Sequence, residues 1–234
     1  MIEGQTGFVV GDQRRAVLAS ALERIAPDPS VDGRREFGRG IVASRRIPVE
    51  LLDLIVIGET YFFRHPEQFK LLRTVILPEL MSRNPGRPIR LWSAGCASGE
   101  EAWSLAILAH ELGLDHRSVE IIGTDLSELH LAAARAAEYR AWALRDSPAR
   151  VVERYFKRAG SRLVLDQAVL PSVRFERLNL LELDGRRNAL SLCNVDVVLC
   201  RNLLIYLSRE AIALVSQGFE ACLSESGHLL TGPA

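Results

Sequence analysis

Ile89-Arg90-Leu91-Trp92-Ser93-Ala94-Gly95-Cys96-Ala97-Ser98-Gly99-Glu100-Glu101 opens as a short, mostly apolar run and breaks at two glycines. Residues 89–94 have strand length, and the spacing from Glu100 to Leu112 predicts a helix closed by Gly113. Glycines at a strand-to-helix turn let the backbone bend sharply and let a ligand approach it. In an open α/β sheet, ligands lie at the carboxyl ends of the strands, which is where this loop falls. Ser98 and Glu101 also have the spacing of a capping box, so a merely well-capped helix is the lesser reading of the loop alone.

The same alternation continues downstream. Val119 to Thr124 reads as a second strand, and Ser127 opens an alanine-rich helix. Val195 to Cys200 is an unbroken apolar run, as expected of a strand covered on both faces. Ser208 begins a helix with Ile212, Val215, Phe219 and Cys222 inward, and Gly227 turns into a last strand, His228 to Thr231. This alternation predicts a parallel, doubly wound α/β sheet. The rhythm breaks between Tyr155 and Phe175. There the runs Arg162–Leu165 and Val173–Glu176 predict a small antiparallel β excursion.

Upstream the signals are helical. Asp12 is the expected cap of a helix through Val17, Leu18, Leu22 and Ile25 that stops before Pro27. Asp28 to Gly40, rich in Pro, Gly, Asp and Arg, reads as a loop. An apolar segment runs from Val49 to Ile57. A further helix starts at Pro66, with Phe69, Leu72, Val75 and Ile76 on one face, and is expected to end near Pro78. Asn84-Pro85-Gly86 is a turn and the expected domain boundary. The domains are then a small N-terminal helical domain, residues 1–85, and a ligand-binding domain, 86–234, with a β subdomain at about 155–176.

Composition narrows the function classes. Hydrophobic residues make up 48% of the 234, enough for a buried core. Lys plus Arg and Asp plus Glu both number 29, which disfavours a nucleic-acid partner with its usual basic face. Cys96, Cys193, Cys200 and Cys222 form no C-x-x-C pair, which argues against a metal site and fits a reducing, cytoplasmic setting. No apolar run approaches the ~20 residues that span a bilayer. The N-terminus lacks the order of a signal peptide.

Two features separate the candidate ligands. Asp125 ends the second strand, where an acid can accept hydrogen bonds from ribose hydroxyls. A dinucleotide would set its pyrophosphate on the following helix N-terminus. Glu100 and Glu101 already occupy that end and would repel phosphate at close range. S-Adenosylmethionine has no phosphate and carries a sulfonium and an ammonium, so an acidic first turn suits it better than it suits NAD.

Six blocks in order resemble the CheR-type chemoreceptor methyltransferases. Glu59-Thr60-Tyr61-Phe62-Phe63-Arg64 is similar to their N-x-T-x-F-F-R signature. Leu91 to Glu101 resembles their glycine loop, and Gly123-Thr124-Asp125-Leu126-Ser127 their acid-tipped second strand. Arg154-Tyr155-Phe156, Arg177-Leu178-Asn179-Leu180 and Cys200-Arg201-Asn202-Leu203-Leu204-Ile205-Tyr206 follow. The resemblance implies a Rossmann-like class I methyltransferase sheet, an N-terminal helical domain and a small β subdomain that docks on receptor tails. It implies transfer of a methyl group from S-adenosylmethionine to glutamates of a chemoreceptor-like protein in chemotaxis signalling, leaving S-adenosylhomocysteine. By resemblance Thr60 and Arg64 contact the cofactor from the N-terminal side, Glu100 sits beside its methionine part, and Gly95 is a further cofactor-binding residue. Asp125 holds the ribose, Asn179 and Leu180 flank the adenine, and Asn202 and Leu203 close the site near the sulfonium. Arg64 and Tyr206 are the candidate catalytic residues, and no metal is expected.

Some features depart from the family. Gly58 stands where asparagine is usual, the N-terminal domain is short, and the last strand lacks the G-H-S-E ending. These suit a relative acting on another partner as one module of a larger regulator. They also motivate the alternative of a non-catalytic S-adenosylmethionine-binding or protein-docking module. A carboxylate acceptor is ionised at neutral pH, so no general base is required. The arginines Arg34, Arg35, Arg39, Arg45 and Arg46 could meet a glutamate-rich partner helix, but a solvated loop face accounts for them better. The fifth strand near the chain end is expected to lack a neighbour on one side and to invite self-association.

Overall fold

The computed structural model describes residues 1–56, 58–83, 86–183 and 192–232. Ile57, Asn84 and Pro85, named above, lie outside the described residues. Five parallel strands form the central sheet in the order β6-β2-β1-β7-β8. They are β1 (Ile89–Ala94), β2 (Val119–Asp125), β6 (Val173–Arg177), β7 (Val195–Cys200) and β8 (Leu223–Thr231). Every residue of β7 is buried, the pattern of a strand covered on both faces. Trp92, Ile122 and Val198 pack on one face against Phe219 and Val215 of α10 (Arg209–Cys222). Leu91, Ile121 and Val197 pack on the other against Leu105 and Leu108 of α7 (Glu100–Glu111). Helix α8 (Glu128–Ala136) follows β2, with Ser127 accepting from the His130 N–H as its cap.

A separate three-stranded antiparallel sheet has the order β3-β5-β4: Glu138–Tyr139, Arg162–Leu165 and Phe156–Ala159. Here the structure corrects the sequence reading. Arg162–Leu165 pairs with Phe156–Ala159, whereas the run at Val173 pairs in parallel with β2 in the main sheet. A four- or five-residue β run carries no sign of its partner, because pairing depends on where the intervening chain travels.

The N-terminal part holds α1 (Ile2–Thr6), α2 (Asp12–Ile25), α3 (Val31–Ser44) and α4 (Val49–Ile55). Helix α3 overturns the loop expected over Asp28–Gly40. Ser30 caps it by accepting from the Gly33 N–H at 3.0 Å. Phe37 and Ile41, one turn apart, pack with Ala21, Leu51 and Leu52. Each interior glycine costs a helix about 1 kcal/mol, and the buried face outweighs that. Helix α2 begins at Asp12 with Gly11, not Asp12, in the cap position. The helix expected to end near Pro78 runs on: α5 (Pro66–Leu71), a π turn (Leu72–Ile76) and α6 (Leu77–Arg83) are continuous. In the π turn Leu77 N–H reaches back to Leu72 O, and Pro78 follows the widened turn, where its missing N–H is tolerated. Phe69, Leu72, Ile76 and Leu80 of this rod share the core of the α/β layer. Among the described residues no helix is long and apolar enough to cross a membrane.

Candidate active site

The carboxyl ends of β1, β2 and β7 frame a cleft. Gly95 leaves β1 with φ of 78°, and a Cβ there would lie 2.7 Å from Leu203 Cδ2, so only glycine keeps the gap open. Asp125 is buried at the end of β2. Its Oδ2 accepts from the Ala97 N–H and its Oδ1 from the Ser127 N–H, both at 2.9 Å. One carboxylate thus ties together the loops after β1 and β2. A largely apolar cavity opens on Gly95, Asp125, Leu126, Leu178, Asn179, Leu180, Leu203 and Leu207. A more polar cavity adjoins it at Gly95, Asp125 and Leu203 and is lined by Thr60, Arg64, Glu101, Arg201, Asn202 and Tyr206. A third hollow, on Gly58, Ser98, Glu100 and Tyr139, touches the polar cavity at Glu59 and Thr60.

The tertiary structure therefore gathers Thr60, Arg64, Gly95, Asp125, Asn202, Leu203 and Tyr206 on one cavity. It sets Asn179 and Leu180 on the apolar one and Glu100 on the neighbouring hollow. Asn179 Oδ1 caps the short turn at Leu180 by accepting from the Leu181 N–H at 3.2 Å, while its Nδ2 donates to Gln5 O at 2.7 Å. Arg64 donates to Glu59 O at 2.9 Å and lies 5.3 Å from the Tyr61 ring centre. Asn202 has φ of 57°, a left-handed conformation that asparagine tolerates better than most residues. Its Oδ1 lies 3.0 Å from His65 Nε2.

Several groups escaped the sequence reading. Glu101 Oε1 accepts from Ser93 Oγ and Oε2 from Arg201 Nε, both at 2.6 Å. Arg201 also donates to Arg64 O. Glu101 is thus committed to β1 and β7, and Ser98 instead bonds Glu100 Oε2 at 2.7 Å, so the capping box does not form. Gly58 packs on an imidazole: a Cβ there would lie 2.5 Å from His130 Nε2. His130 Nδ1 is buried, has no hydrogen-bond partner among the described residues, and stands 3.6 Å from Asp125 Oδ1. Phe8, far upstream, lines both main cavities. Glu101, Ser93, Gly58 and Arg201 all stood in stretches singled out in the sequence, without their partners, and Phe8 offered no more than a short apolar run after Gly7.

Burial governs the electrostatics. It pushes the Glu100 carboxyl up to about 7, against the lowering effects of the Ser98 hydroxyl and His130. Burial, with Asp125 and Glu101 nearby, pushes the Cys96 thiol well up, so it stays protonated. The charge argument from the first turn of α7 is accordingly corrected. Arg201 neutralises Glu101, and Glu100 is only part-ionised at neutral pH. The two acids at this helix start therefore do not by themselves tell a phosphate-bearing ligand from S-adenosylmethionine.

Residues 58–234 match the family described as CheR methyltransferase, SAM binding domain. The chain belongs to the CheR methyltransferase family. It is 33% identical to chemotaxis protein methyltransferase 1 of Pseudomonas aeruginosa, over 99% of this chain and 85% of that protein. It is 30% identical to chemotaxis protein methyltransferase 1 of Vibrio cholerae, over 99% of this chain and 84% of that one. S-Adenosylmethionine is the cofactor of this methyltransferase, and the cleft fits it. The apolar cavity suits a purine. Each Asp125 oxygen accepts one backbone hydrogen bond and keeps lone-pair capacity for ribose hydroxyls. The side-chain-free surface at Gly95 leaves room for the chain of the methionine part.

Proposed function

We propose that this methyltransferase esterifies glutamate side chains in helices of a chemoreceptor-like protein, giving glutamate methyl esters and S-adenosylhomocysteine. The observation that carries this reading is that Arg64, Asn202 and Tyr206, three residues with side-chain donors, line the same polar cavity. A carboxylate needs donors to orient it and no base to deprotonate it. His65, the imidazole beside Asn202, is engaged: Nε2 meets Asn202 Oδ1 at 3.0 Å and Nδ1 lies 3.7 Å from Glu67.

S-Adenosylmethionine supplies a methyl group activated by the sulfonium that carries it. Arg64 and Tyr206 are assigned to hold the acceptor carboxylate in line, and Asn202 to steady the neighbouring groups. Arg64 is tethered to Glu59 O, which suits orientation. A tighter ion pair would stabilise the starting carboxylate more than the charge-neutralised transition state. Leu203 and the rest of the apolar wall exclude water.

Relatives carrying the name chemotaxis protein methyltransferase support a receptor as acceptor. Arg45, Arg46 and Arg177 on the groove beside Asn179 complement an acidic partner. Self-association would run along β8, which pairs only with β7 among the described residues, and sedimentation would reveal it. The deciding experiment is transfer of labelled methyl to a glutamate-rich receptor helix, followed by mild alkali. Release of the label as methanol is expected. Label that survives alkali would mean a nitrogen or other acceptor and would overturn the glutamate assignment.

A further inference from the structure

Residues 1–10 precede the region that matches the family, 58–234, yet they build part of the cofactor cleft. Thr6 and Phe8 line the apolar cavity, and Phe8 also lines the polar one. Phe8 is only 4% exposed, although its own segment has too few residues to make a core.

Burial follows from how the segment is fastened. Val9 N–H donates to Tyr206 O at 2.9 Å, and Ser208 N–H to Gly7 O at 2.8 Å. Asn179 Nδ2 donates to Gln5 O at 2.7 Å, and Gln5 Nε2 to Arg45 O at 2.5 Å. Gly7 has φ of 76°, and a Cβ on it would sit 2.8 Å from Ala211 Cβ, so the strap crosses α10 only because residue 7 is glycine. Two of its anchors, Asn179 and Tyr206, are themselves lining residues.

We propose that this N-terminal strap is an integral wall of the S-adenosylmethionine site, and that Phe8 contacts the cofactor, packing on its adenosine part. The inference rests on placing the cofactor in these cavities. The chemistry fits. The walls near Phe8 are Leu178, Leu180 and Leu207, with Asp125 as the polar group, and an aromatic ring is a good partner for the flat face of a purine.

The test is calorimetric titration of S-adenosylhomocysteine into the full chain and into its Phe8→Ala and Phe8→Leu variants. The melting temperature without ligand is measured in parallel. Phe8→Ala is expected to weaken binding roughly tenfold or more, the scale of a lost base–aromatic contact, with Phe8→Leu between it and the wild type. If Phe8→Ala does not fold, Phe8→Leu carries the comparison. Amide exchange at Phe8 and Val9 in the wild type then gives a second readout, expected to slow when S-adenosylhomocysteine is added. Variants that melt lower but bind as tightly as wild type, or exchange indifferent to the ligand, would make Phe8 a packing residue only and overturn the proposal. A wild type that binds no S-adenosylhomocysteine would instead overturn the cofactor placement beneath it.

Discussion

Arg201 Nε donates to Glu101 Oε2 at 2.6 Å, with the two side chains 2% and 10% exposed. The pair joins the end of β7 to the start of α7. Through Ser93 on one side and the Arg64 carbonyl on the other, it links β1 to the chain that carries Arg64. It lines the polar cavity without being fully open to it, so its first role is to hold the cleft in shape.

Removing one partner should therefore be costly. Arg201→Met leaves Glu101 buried and uncompensated, and should lower unfolding stability by about 3–5 kcal/mol. The double variant Arg201→Met, Glu101→Leu should recover a large part of this. Urea titrations of the three proteins would check it. A loss under about 1 kcal/mol in the single variant would show a pair that water already screens.

Asp125→Asn keeps the shape of the side chain and removes its charge. Two backbone N–H groups and the ribose then face a weaker acceptor, and one Asp125 oxygen becomes an N–H₂. Binding of S-adenosylhomocysteine should weaken by about 1.5–3 kcal/mol, the range for a hydrogen bond to a charged group. Affinity equal to that of wild type would remove Asp125 from the ribose.

A Cβ at Gly58 would lie 2.5 Å from His130 Nε2, so an asparagine at this position fits only if the imidazole moves. Gly58→Asn alone should lower the melting temperature and weaken cofactor binding. Gly58→Asn with His130→Ala should restore both, since the ring has been removed. Thermal melts with and without S-adenosylhomocysteine separate the two effects. Losses that simply add in the double variant would show that the residues do not compete for space.

Glu100 gives a pH dependence with a definite sign. Burial pushes its carboxyl up to about 7 in the fold, against an ordinary value of 4.5. The stabilisation it allows is complete below pH 4.5, declines as pH rises through that window, and is gone above about 7. Glu100→Gln should thus melt higher than wild type at pH 8, with the difference vanishing near pH 4.5. The same variant should bind S-adenosylmethionine less well at pH 8 if this acid faces the methionine ammonium. Parallel melts across pH 4.5–8 that show a constant difference would contradict the burial cause.

The strand–helix alternation of the catalytic layer was legible because it is local. Residues 89–94 and 195–200 are β1 and β7 with the bounds read from the sequence. Ser127 and Ser208 cap the helices they were expected to open, since a cap is decided within four residues. Reading failed where a short-range preference met a long-range partner. Gly33, Gly38 and Gly40 suggested a loop, and a face of Phe37 and Ile41 against α2 and α4 made a helix. Pro78 suggested a stop, and a π turn ahead of it absorbed the missing donor.

The sequence by itself determined the family, the strand–helix alternation of the catalytic layer, and the residue types that gather at the carboxyl ends of the strands. Only the tertiary structure decided which of two adjacent acids faces which hollow. Glu101 turns to Arg201, a hundred residues on, and Glu100 turns to Ser98. Only the fold could bring Phe8 to the cavity walls or put His130 against Gly58. The physical reason is the same in each case. Motif spacing records neighbours along the chain, whereas burial, charge pairing and steric exclusion act between groups that meet only when the chain has closed on itself.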